Sequence, residues 1–307
     1  MVMRIGMIGF SEGNGHPYSF SAIVNGYDRT AFRSSNWEVI ANYLDLRAEA
    51  DFGFDGIEVT HAWSECVAST RQLCKSCHIG VACNDLSDMF GEVDAVIIAR
   101  DDWEIHHELA IPFLERGCYV FVDKPLTLNE AQLTDFSSFL YEKKLMSCSG
   151  FRFSTEISLI KNILKDIGPI RTITGTVVND LQKYGIHLVD AINGAGIDLG
   201  SPTELTRLPS GASTFNILYE NGTNFLLNCL GNSAKVFHLS FFGQSGVAHV
   251  DLEDNFGAFK ATLKSFFDLS ANKQAIPASE TIETMSLLRT LKNLNVGQCE
   301  RLHKVKG

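Results

Sequence analysis

Short apolar runs alternate with helix-like segments through the first half of the chain, and this alternation constrains the fold more than any other feature. The clearest runs are RIGMIGF at residues 4–10, VDAVIIA at 93–99 and YVFV at 119–122. An unbroken run such as VDAVIIA is typical of a strand that is buried on both faces of a parallel sheet. Strands that alternate with helices predict an α/β domain with an open, doubly wound parallel sheet of the Rossmann type.

The pattern changes after about residue 148. Two β-rich runs flank Asn221-Gly222, a pair that strongly favours a hairpin turn, and a second such arrangement surrounds GQSG at 243–246. Helical segments follow at 257–271 and 278–294. The 307 residues therefore divide into a Rossmann-like dinucleotide-binding domain at 1–148 and a second domain at 149–307. We expect the second to be an α+β domain with a mainly antiparallel sheet that serves substrate binding and oligomerisation.

The charge balance bears on the class of partner. The formal net charge is −10, which argues against nucleic acid or an anionic membrane surface as the main partner. No apolar stretch approaches the roughly 18 residues that a membrane span needs, and no export signal is visible. Eight cysteines without export indicate reduced thiols, so we expect a cytoplasmic protein.

The glycines after the first strand are spaced unusually for a dinucleotide-binding loop. After Gly9, a G-x-G-x-x-G pattern would place glycine at 11 and 14, where this chain has serine and asparagine. The loop IGFSEGNGHPYSF nevertheless offers permissive backbone for close approach to a pyrophosphate, polar side chains that can bond to it, and Pro17 for the first helical turn. We therefore predict a rebuilt cofactor loop that uses Gly9, Ser11, Gly13, Asn14 and Gly15.

Polar residues follow the later strands of the predicted sheet. Asp123 and Lys124 come directly after YVFV, and Arg100 comes directly after VDAVIIA. Ligands collect at the carboxyl ends of parallel strands. We therefore expect Arg100 and Asp123 at the cofactor site. For Lys124, these residues alone favour a solvated lysine in a surface turn over a role in the chemistry.

A second polar group lies on a predicted helix in QKYGIHLVDAING at 182–194. Lys183 precedes His187 by four residues, and Asp190 follows it by three. Residues at these spacings share a helix face. This pattern predicts either a functional cluster or a surface helix of mixed charge.

The order of these stretches resembles the Gfo/Idh/MocA family, the group of glucose–fructose oxidoreductase and inositol dehydrogenase. The resemblance rests on the strand–glycine start, DAVIIA, HHELAIPFLERG, YVFVDKPL and GIHLVD, and it covers most of the chain. It implies NAD or NADP in the first domain. It also implies oxidation or reduction of a sugar, polyol or nucleotide-sugar carbon between the two domains.

The resemblance also assigns roles to individual residues. Lys124 matches the active-site lysine of the family's E-K-P motif, with Asp123 in place of the glutamate, and His187 matches the family's acid–base histidine. The aspartate that commonly precedes this histidine by four residues is Lys183 here. Lys183 therefore pairs with an anionic substrate group, joins Lys124 in a cationic cluster, or faces solvent.

Cofactor preference stays open at this stage. The second strand ends in VTHAW, so that His61 stands near the position where the family has an acid or a basic group. Neither a carboxylate for a 2′-hydroxyl nor an arginine for a 2′-phosphate is present there. We therefore expect NAD and NADP to bind with affinities within about a hundredfold.

The predicted function is hydride transfer between NAD(P) and a carbohydrate-like substrate. His187 accepts the hydroxyl proton as the hydride leaves, and Lys124 stabilises the charge on the same oxygen. Two alternatives stay open: a non-catalytic sensor of the same fold, and an NAD-assisted lyase or glycosidase.

Two further expectations concern metals and assembly. CKSCH matches a haem-attachment pattern, but we interpret Cys74 and Cys77 as ordinary helix cysteines and predict no metal site. Runs such as FNILY and FLLNCL are apolar on much of both strand faces, which predicts a homo-oligomer.

Overall fold

The protein is described here from a computed structural model, which covers residues 2–271 and 276–302. Contacts within this part of the chain divide it into two compact units. The first comprises Met1–Cys148 with Phe259–Thr281, and the second comprises Ser149–Ala258 with Ile282–Gly307. Each unit has a sheet of its own.

The first unit contains a six-stranded parallel sheet, which confirms the predicted Rossmann-like fold. Its order is β3-β2-β1-β4-β5-β6, so the order of the strands reverses between β1 and β4. Such a switch point opens a crevice at the carboxyl ends of the strands. The strands are β1 (Met3–Ile8), β2 (Ile57–Trp63), β3 (Val81–Ala82), β4 (Ala95–Ile98), β5 (Tyr119–Val122) and β6 (Leu145–Ser147).

Helices connect these strands in the predicted alternation. They are α1 (His16–Asn25), α2 (Arg29–Arg33), α3 (Glu38–Asp45), α4 (Val67–Ser76), α5 (His106–Leu114) and α6 (Glu130–Tyr141). Leu86–Met89 form a 3₁₀ turn, and the Asp85 carboxylate caps it by accepting from the Ser87 amide. All four residues of β4 are buried, as its apolar run predicts.

The second unit contains a seven-stranded sheet of order β12-β11-β7-β10-β9-β8-β13. Its strands are β7 (Ile170–Val177), β8 (Pro202–Leu208), β9 (Ser213–Tyr219), β10 (Asn224–Cys229), β11 (Phe237–Gly243), β12 (Val247–Asp251) and β13 (Cys299–Arg301). The antiparallel pairs β9–β10 and β11–β12 confirm both predicted hairpins. The pair β7–β10 is parallel, so the sheet is mixed.

Four helices complete the description of the C-terminal half of the chain: α7 (Thr155–Leu164), α8 (Ile186–Ala195), α9 (Asn255–Ser270) and α10 (Ala278–Asn293). Helix α8 packs on the second sheet, where Gly175 of β7 leaves room for it. A Cβ atom at Gly175 would lie 2.9 Å from both Leu188 and Phe225. The missing side chain therefore lets the helix approach closely.

Strand β10 alternates between a buried and a half-exposed face. Phe225, Leu227 and Cys229 are buried, while the residues between them are half-exposed and include Asn228. This period of two is typical of a sheet with one face on the core. The opposite face is therefore more polar than the apolar run FLLNCL suggested.

Candidate active site

The loop between β1 and α1 requires glycine at the three positions that the sequence singled out. A Cβ atom at Gly9 would lie 2.3 Å from the Pro17 Cγ, and one at Gly15 would lie 2.4 Å from the Ile40 Cδ1. Gly13 has φ +74°, a conformation that other residues rarely adopt. The loop is therefore closely packed on one side and open at Gly13, where a Cβ would meet nothing within 4 Å.

The polar side chains of this loop bond within the chain. The Ser11 hydroxyl donates to the Asp101 carboxylate at 2.7 Å and accepts from the Asp101 amide at 3.1 Å. The Asn14 side chain donates to Asp123 at 3.2 Å and accepts from the His16 amide at 2.8 Å. Ser11 and Asn14 thus fasten the loop to the segments that follow β4 and β5.

Among the described residues, the first turn of α1 has no unbonded backbone amide with which to bind an anion. Pro17 has no amide hydrogen, the His16 amide bonds to Asn14, and the amides of Tyr18 and Ser19 donate to the Gly15 carbonyl. The donors of this edge therefore belong to the loop before the helix. Within residues 2–271 and 276–302, five loop amides have no hydrogen-bond partner: those of Phe10, Ser11, Glu12, Gly13 and Gly15.

Asp123 is a buried carboxylate at this edge of the sheet that accepts three hydrogen bonds. It is 3% exposed and accepts from His16 Nδ1 at 2.5 Å, from Asn14, and from the Lys124 amide at 2.8 Å. Burial alone would raise the pKa of Asp123, but His16 and Lys124 outweigh it and hold that pKa at about 2. Asp123 is therefore a fixed negative charge.

His16 is a site residue that the sequence analysis missed. Its ring packs against Phe20 and Phe259, with centroids 5.3 and 4.9 Å away. Its side chain is 21% exposed. His16 is the first residue of α1, the helix that follows the glycine loop. A histidine directly after such a loop is the signal that could have identified it.

Lys124 is buried beside Asp123, with 4% of its surface exposed, so the solvated-turn alternative is wrong. The peptide bond from Lys124 to Pro125 is cis. Behind it, the fully buried His106 lies 3.0 Å from the Leu126 carbonyl and 3.2 Å from the Arg100 carbonyl. Desolvation by this burial lowers the pKa of His106.

Arg100 is also buried and is bound on two sides by carboxylates. Its Nε and Nη2 donate to Asp102 at 2.9 and 2.7 Å, and its Nη1 donates to Glu65. Burial alone would lower the pKa of Arg100, but the two carboxylates raise it. The guanidinium therefore connects the segment after β4 with the segment after β2.

A cavity of about 510 Å³ lies where β1 and β2 end, and it is rich in hydroxyl and amide groups. Glu65 lines it, two residues beyond the end of β2, and supplies the carboxylate that VTHAW lacks. His61 lies within β2 and does not belong to the described lining. The lining includes Ser34, Asn36, Trp37, Ser64, Glu65 and Ser69.

His61 has a local environment of its own. Its Nδ1 lies 2.8 Å from the Thr60 hydroxyl, and its pKa is lowered by burial. Glu92 raises and Arg4 lowers the same pKa, and neither residue belongs to the described lining of the cavity. The structure therefore does not bring His61 together with the other predicted cofactor residues.

In the second unit, His187 is held by Ser149 and surrounded by aromatic rings. Its Nδ1 lies 2.6 Å from the Ser149 hydroxyl, and 9% of the residue is exposed. The rings of Phe151, Tyr184 and Phe237 lie 5.3 to 5.7 Å away, centroid to centroid. This packing fixes the orientation of the imidazole.

The carboxylate of Asp190 contacts the backbone of the same serine. It accepts from the Ser149 amide at 2.6 Å and pairs with Arg152 at 3.5 Å. The spacing of three residues does place His187 and Asp190 on one side of α8, as predicted. Ser149, which no sequence pattern singled out, joins the two.

Lys183 lies on a π-helical turn at Leu181–Gly185, so the predicted helix is α-helical only from Ile186 onward. Asp180 caps this turn, and its carboxylate accepts from the Lys183 amide at 2.9 Å. Lys183 is half-exposed. An acidic residue thus precedes His187 by seven positions instead of four.

The cysteines of CKSCH lie at the end of α4. Cys74 and Cys77 are both buried, and burial raises the pKa of the Cys74 thiol to about 12.

In the part of the chain that the structure describes, no helix is long and apolar enough to cross a membrane.

A doubly wound parallel sheet with a glycine loop at its switch point defines a nucleotide-binding protein of the Rossmann class. Residues 3–151 match the model of the oxidoreductase family with an NAD-binding Rossmann fold. Residues 3–151 belong to this family, Gfo/Idh/MocA. The resemblance drawn from the sequence is therefore confirmed, and so is its NAD-binding oxidoreductase class.

Solved structures match the whole chain at low sequence identity. A myo-inositol 2-dehydrogenase from Lactobacillus plantarum is 15% identical, with a TM-score of 0.76 over 99% of this chain and 100% of that one. A Lactobacillus casei myo-inositol dehydrogenase in complex with NAD(H) and myo-inositol is 13% identical, with a TM-score of 0.74 over 100% and 98%. These likenesses establish the fold. No curated protein sequence matches the chain.

Proposed function

We propose that this protein is an NAD-dependent dehydrogenase that moves a hydride between the cofactor and a carbon of a polyol or related carbohydrate. The observation that carries the proposal is the buried Lys124 at the carboxyl end of β5, in the D-K-P position of an oxidoreductase family. The matching structure from Lactobacillus casei with bound NAD(H) and myo-inositol supports the class of substrate.

The residues of the first unit fit a dinucleotide. Loop amides without partners can donate to a pyrophosphate, and the open backbone at Gly13 permits close approach. The cavity beside Glu65 has hydroxyl and amide groups for an adenosine ribose. When bound, the nicotinamide supplies the hydride acceptor or donor, and the protein supplies position and proton transfer.

Lys124 and His187 have separate roles in this proposal. The Lys124 ammonium donates to the substrate oxygen and stabilises the negative charge that develops there. The Ser149 hydroxyl already accepts from the Phe151 amide at 3.2 Å and can also accept from His187 Nδ1–H. That bond leaves Nε2 of His187 free of a proton, so that it can act as the base.

Further parts of the proposal concern substrate charge, assembly and location. Lys183 attracts an anionic substrate group if the substrate carries one, and the protein assembles as a homo-oligomer. A cytoplasmic location is supported by eight cysteines, all of which are free thiols in the structure.

The test is a matrix of NAD and NADP against myo-inositol, scyllo-inositol and common sugars, with absorbance at 340 nm and calorimetric binding of each cofactor. We expect turnover with NAD that Lys124→Ala lowers at least a hundredfold, while Lys75→Ala, a change at an exposed lysine of the same unit, leaves it unchanged.

Three outcomes would contradict the dehydrogenase assignment. Failure of both cofactors to bind at millimolar concentration removes its basis. Tight cofactor binding without turnover of any polyol or sugar favours the sensor. Release of an elimination product without net change at 340 nm favours the lyase.

A further inference from the structure

We propose that Trp37, in the segment that connects α1 to β2, contacts the adenosine half of the bound dinucleotide and sets the affinity for that half. The inference rests on the cofactor binding proposed above. It assigns a ligand contact to residues 26–56, a segment that lies outside the glycine loop and outside the polar groups that follow β2, β4 and β5.

The first step is the length of this connection. A loop between a helix and the next strand of such a sheet ordinarily has about 2–6 residues. Here the chain leaves α1 after Asn25 and enters β2 at Ile57, and it forms α2, α3 and a 3₁₀ turn on the way. A connection of this length usually has a function of its own.

The second step is that the segment is fastened beside the cavity of about 510 Å³. The Gln72 side chain of α4 donates to the Ala31 carbonyl of α2 at 2.7 Å. The hydroxyls of Tyr43 in α3 and Ser19 in α1 are hydrogen-bonded to each other. Because α1 and α4 both contribute residues to the lining of the cavity, these bonds hold the segment at its rim.

The third step is the position of the indole. Trp37 immediately precedes α3 and is half-exposed. A Cβ atom at Gly15 would lie 2.6 Å from Trp37 Cε3 and 2.8 Å from Cδ2, so the ring packs directly on the glycine loop. Trp37 also lines the cavity, which Glu65 lines from the end of β2. One side chain thus contacts the loop proposed for the pyrophosphate and reaches the cavity proposed for the adenosine.

The fourth step is the chemistry of the cavity. The aromatic rings of Phe10 and Tyr18 line it together with the indole, and the segment adds the polar side chains of Ser34 and Asn36. A nucleoside has a planar base that stacks on aromatic rings and a ribose whose hydroxyls bond to polar groups. Among the described residues that line the cavity there is no lysine or arginine, so a neutral nucleoside fits it better than an anion does.

The first measurement is NADH affinity by calorimetry. Trp37→Leu keeps an apolar side chain against Gly15 but removes the ring, so it should bind NADH about tenfold or more weakly. Trp37→Phe keeps a ring and should recover most of the affinity. Leu46→Ala is the matched control, because Leu46 belongs to the same segment, is 84% exposed and is not in the described lining. Its NADH affinity should equal that of the wild type.

The second measurement separates contact with the ligand from support of the glycine loop. The indole N–H signals of the three tryptophans are recorded by NMR on protein labelled with ¹⁵N-tryptophan, and the signal lost in Trp37→Phe identifies Trp37. ADP-ribose has the adenosine half of the cofactor and no nicotinamide. Its titration should shift the Trp37 signal until the site is saturated.

The possible failures are distinguishable. If the wild type binds NADH, and either Trp37→Leu binds it equally well or ADP-ribose leaves the Trp37 signal unchanged, the inference is wrong while the proposed function stands. If the wild type binds neither NADH nor NADPH at millimolar concentration, the proposed function and this inference are both wrong.

Discussion

Replacing Gly194 by alanine should disturb the candidate catalytic histidine from the far end of its own helix. Gly194 lies one residue before the end of α8, and a Cβ atom there would stand 2.1 Å from the Arg152 carbonyl oxygen. Ordinary contact begins at 3.4 Å. The backbone at Arg152 must therefore move by more than 1 Å, because a carbonyl cannot rotate away as a side chain can.

The same backbone segment carries Ser149, three residues upstream. Ser149 lies 2.6 Å from His187 Nδ1 and donates its amide to Asp190 at 2.6 Å. A shift of more than 1 Å that reaches Ser149 takes both distances beyond hydrogen-bond range. The Gly194→Ala change would therefore release His187 without touching it.

The expected loss of stability follows from three contributions. Overpacking costs about 1–3 kcal/mol, and loss of a hydrogen bond to a buried carboxylate costs about 1.5–3 kcal/mol. Alanine in place of glycine within a helix returns about 1 kcal/mol. The free energy of unfolding should therefore fall by roughly 1.5–5 kcal/mol.

Urea unfolding followed by circular dichroism measures the change in stability, and kcat measures the effect on His187. The control is Gly211→Ala, since a Cβ atom at Gly211 meets nothing within 4 Å and the glycine has no left-handed conformation. We expect the control to stay within about 0.5 kcal/mol of the wild type. Wild-type stability and turnover in Gly194→Ala would refute the argument from close packing.

Four other predictions concern the two units. In turnover assays, Lys124→Ala should cost a hundredfold or more and His187→Asn a hundred- to ten-thousandfold. If both act in one step, the double variant should be little worse than the worse single one; additive losses would contradict this. Wild-type protein should bind NADH and NADPH within about a hundredfold. Glu65→Gln should move that ratio towards NADPH by removing a carboxylate that repels a 2′-phosphate, and an unchanged ratio in calorimetry would show that Glu65 does not contact the ribose. Because the pKa of Asp123 is lowered to about 2, the stability it provides is present above pH 4 and is lost as the pH falls towards 2. Asp123→Asn should therefore lower the free energy of unfolding by about 2 kcal/mol at pH 7, by roughly half as much at pH 3 and by much less at pH 2, as measured by urea titration. Lys183→Asp should raise the KM of an anionic substrate strongly and leave that of a neutral polyol unchanged; equal KM changes for both would exclude an anion contact.

The sequence predicted those parts of the molecule that depend on local patterns. Apolar runs marked β1, β4 and β5, and the turn at Asn221-Gly222 marked the β9–β10 hairpin. Strand β6 was missed because its three residues are too few to show a period. The parallel pairing of β7 with β10 was missed because it joins segments that are distant in the chain.

The candidate site shows the same division. The loop glycines and the D-K-P sequence can be recognised from the local sequence. His16 and Asp123 are 107 positions apart in the chain, and only the pairing of the strands brings them into contact. The motif VTHAW gave no sign of Glu65 because this carboxylate lies two positions beyond the last residue of β2, in the lining of the cavity. Ser149 looked like an ordinary serine because its role comes from α8, which lies about 40 residues further along the chain.

The close approach of Gly9 to Pro17 also has an evolutionary consequence. With 2.3 Å between an added Cβ and the proline ring, position 9 cannot gain a side chain while Pro17 stays as it is. A relative that carries alanine or serine at the first position should have lost the proline at the second. Among sequences with this loop, the proline should therefore occur only together with glycine at the first position, and a larger residue there beside a retained proline would be the informative exception.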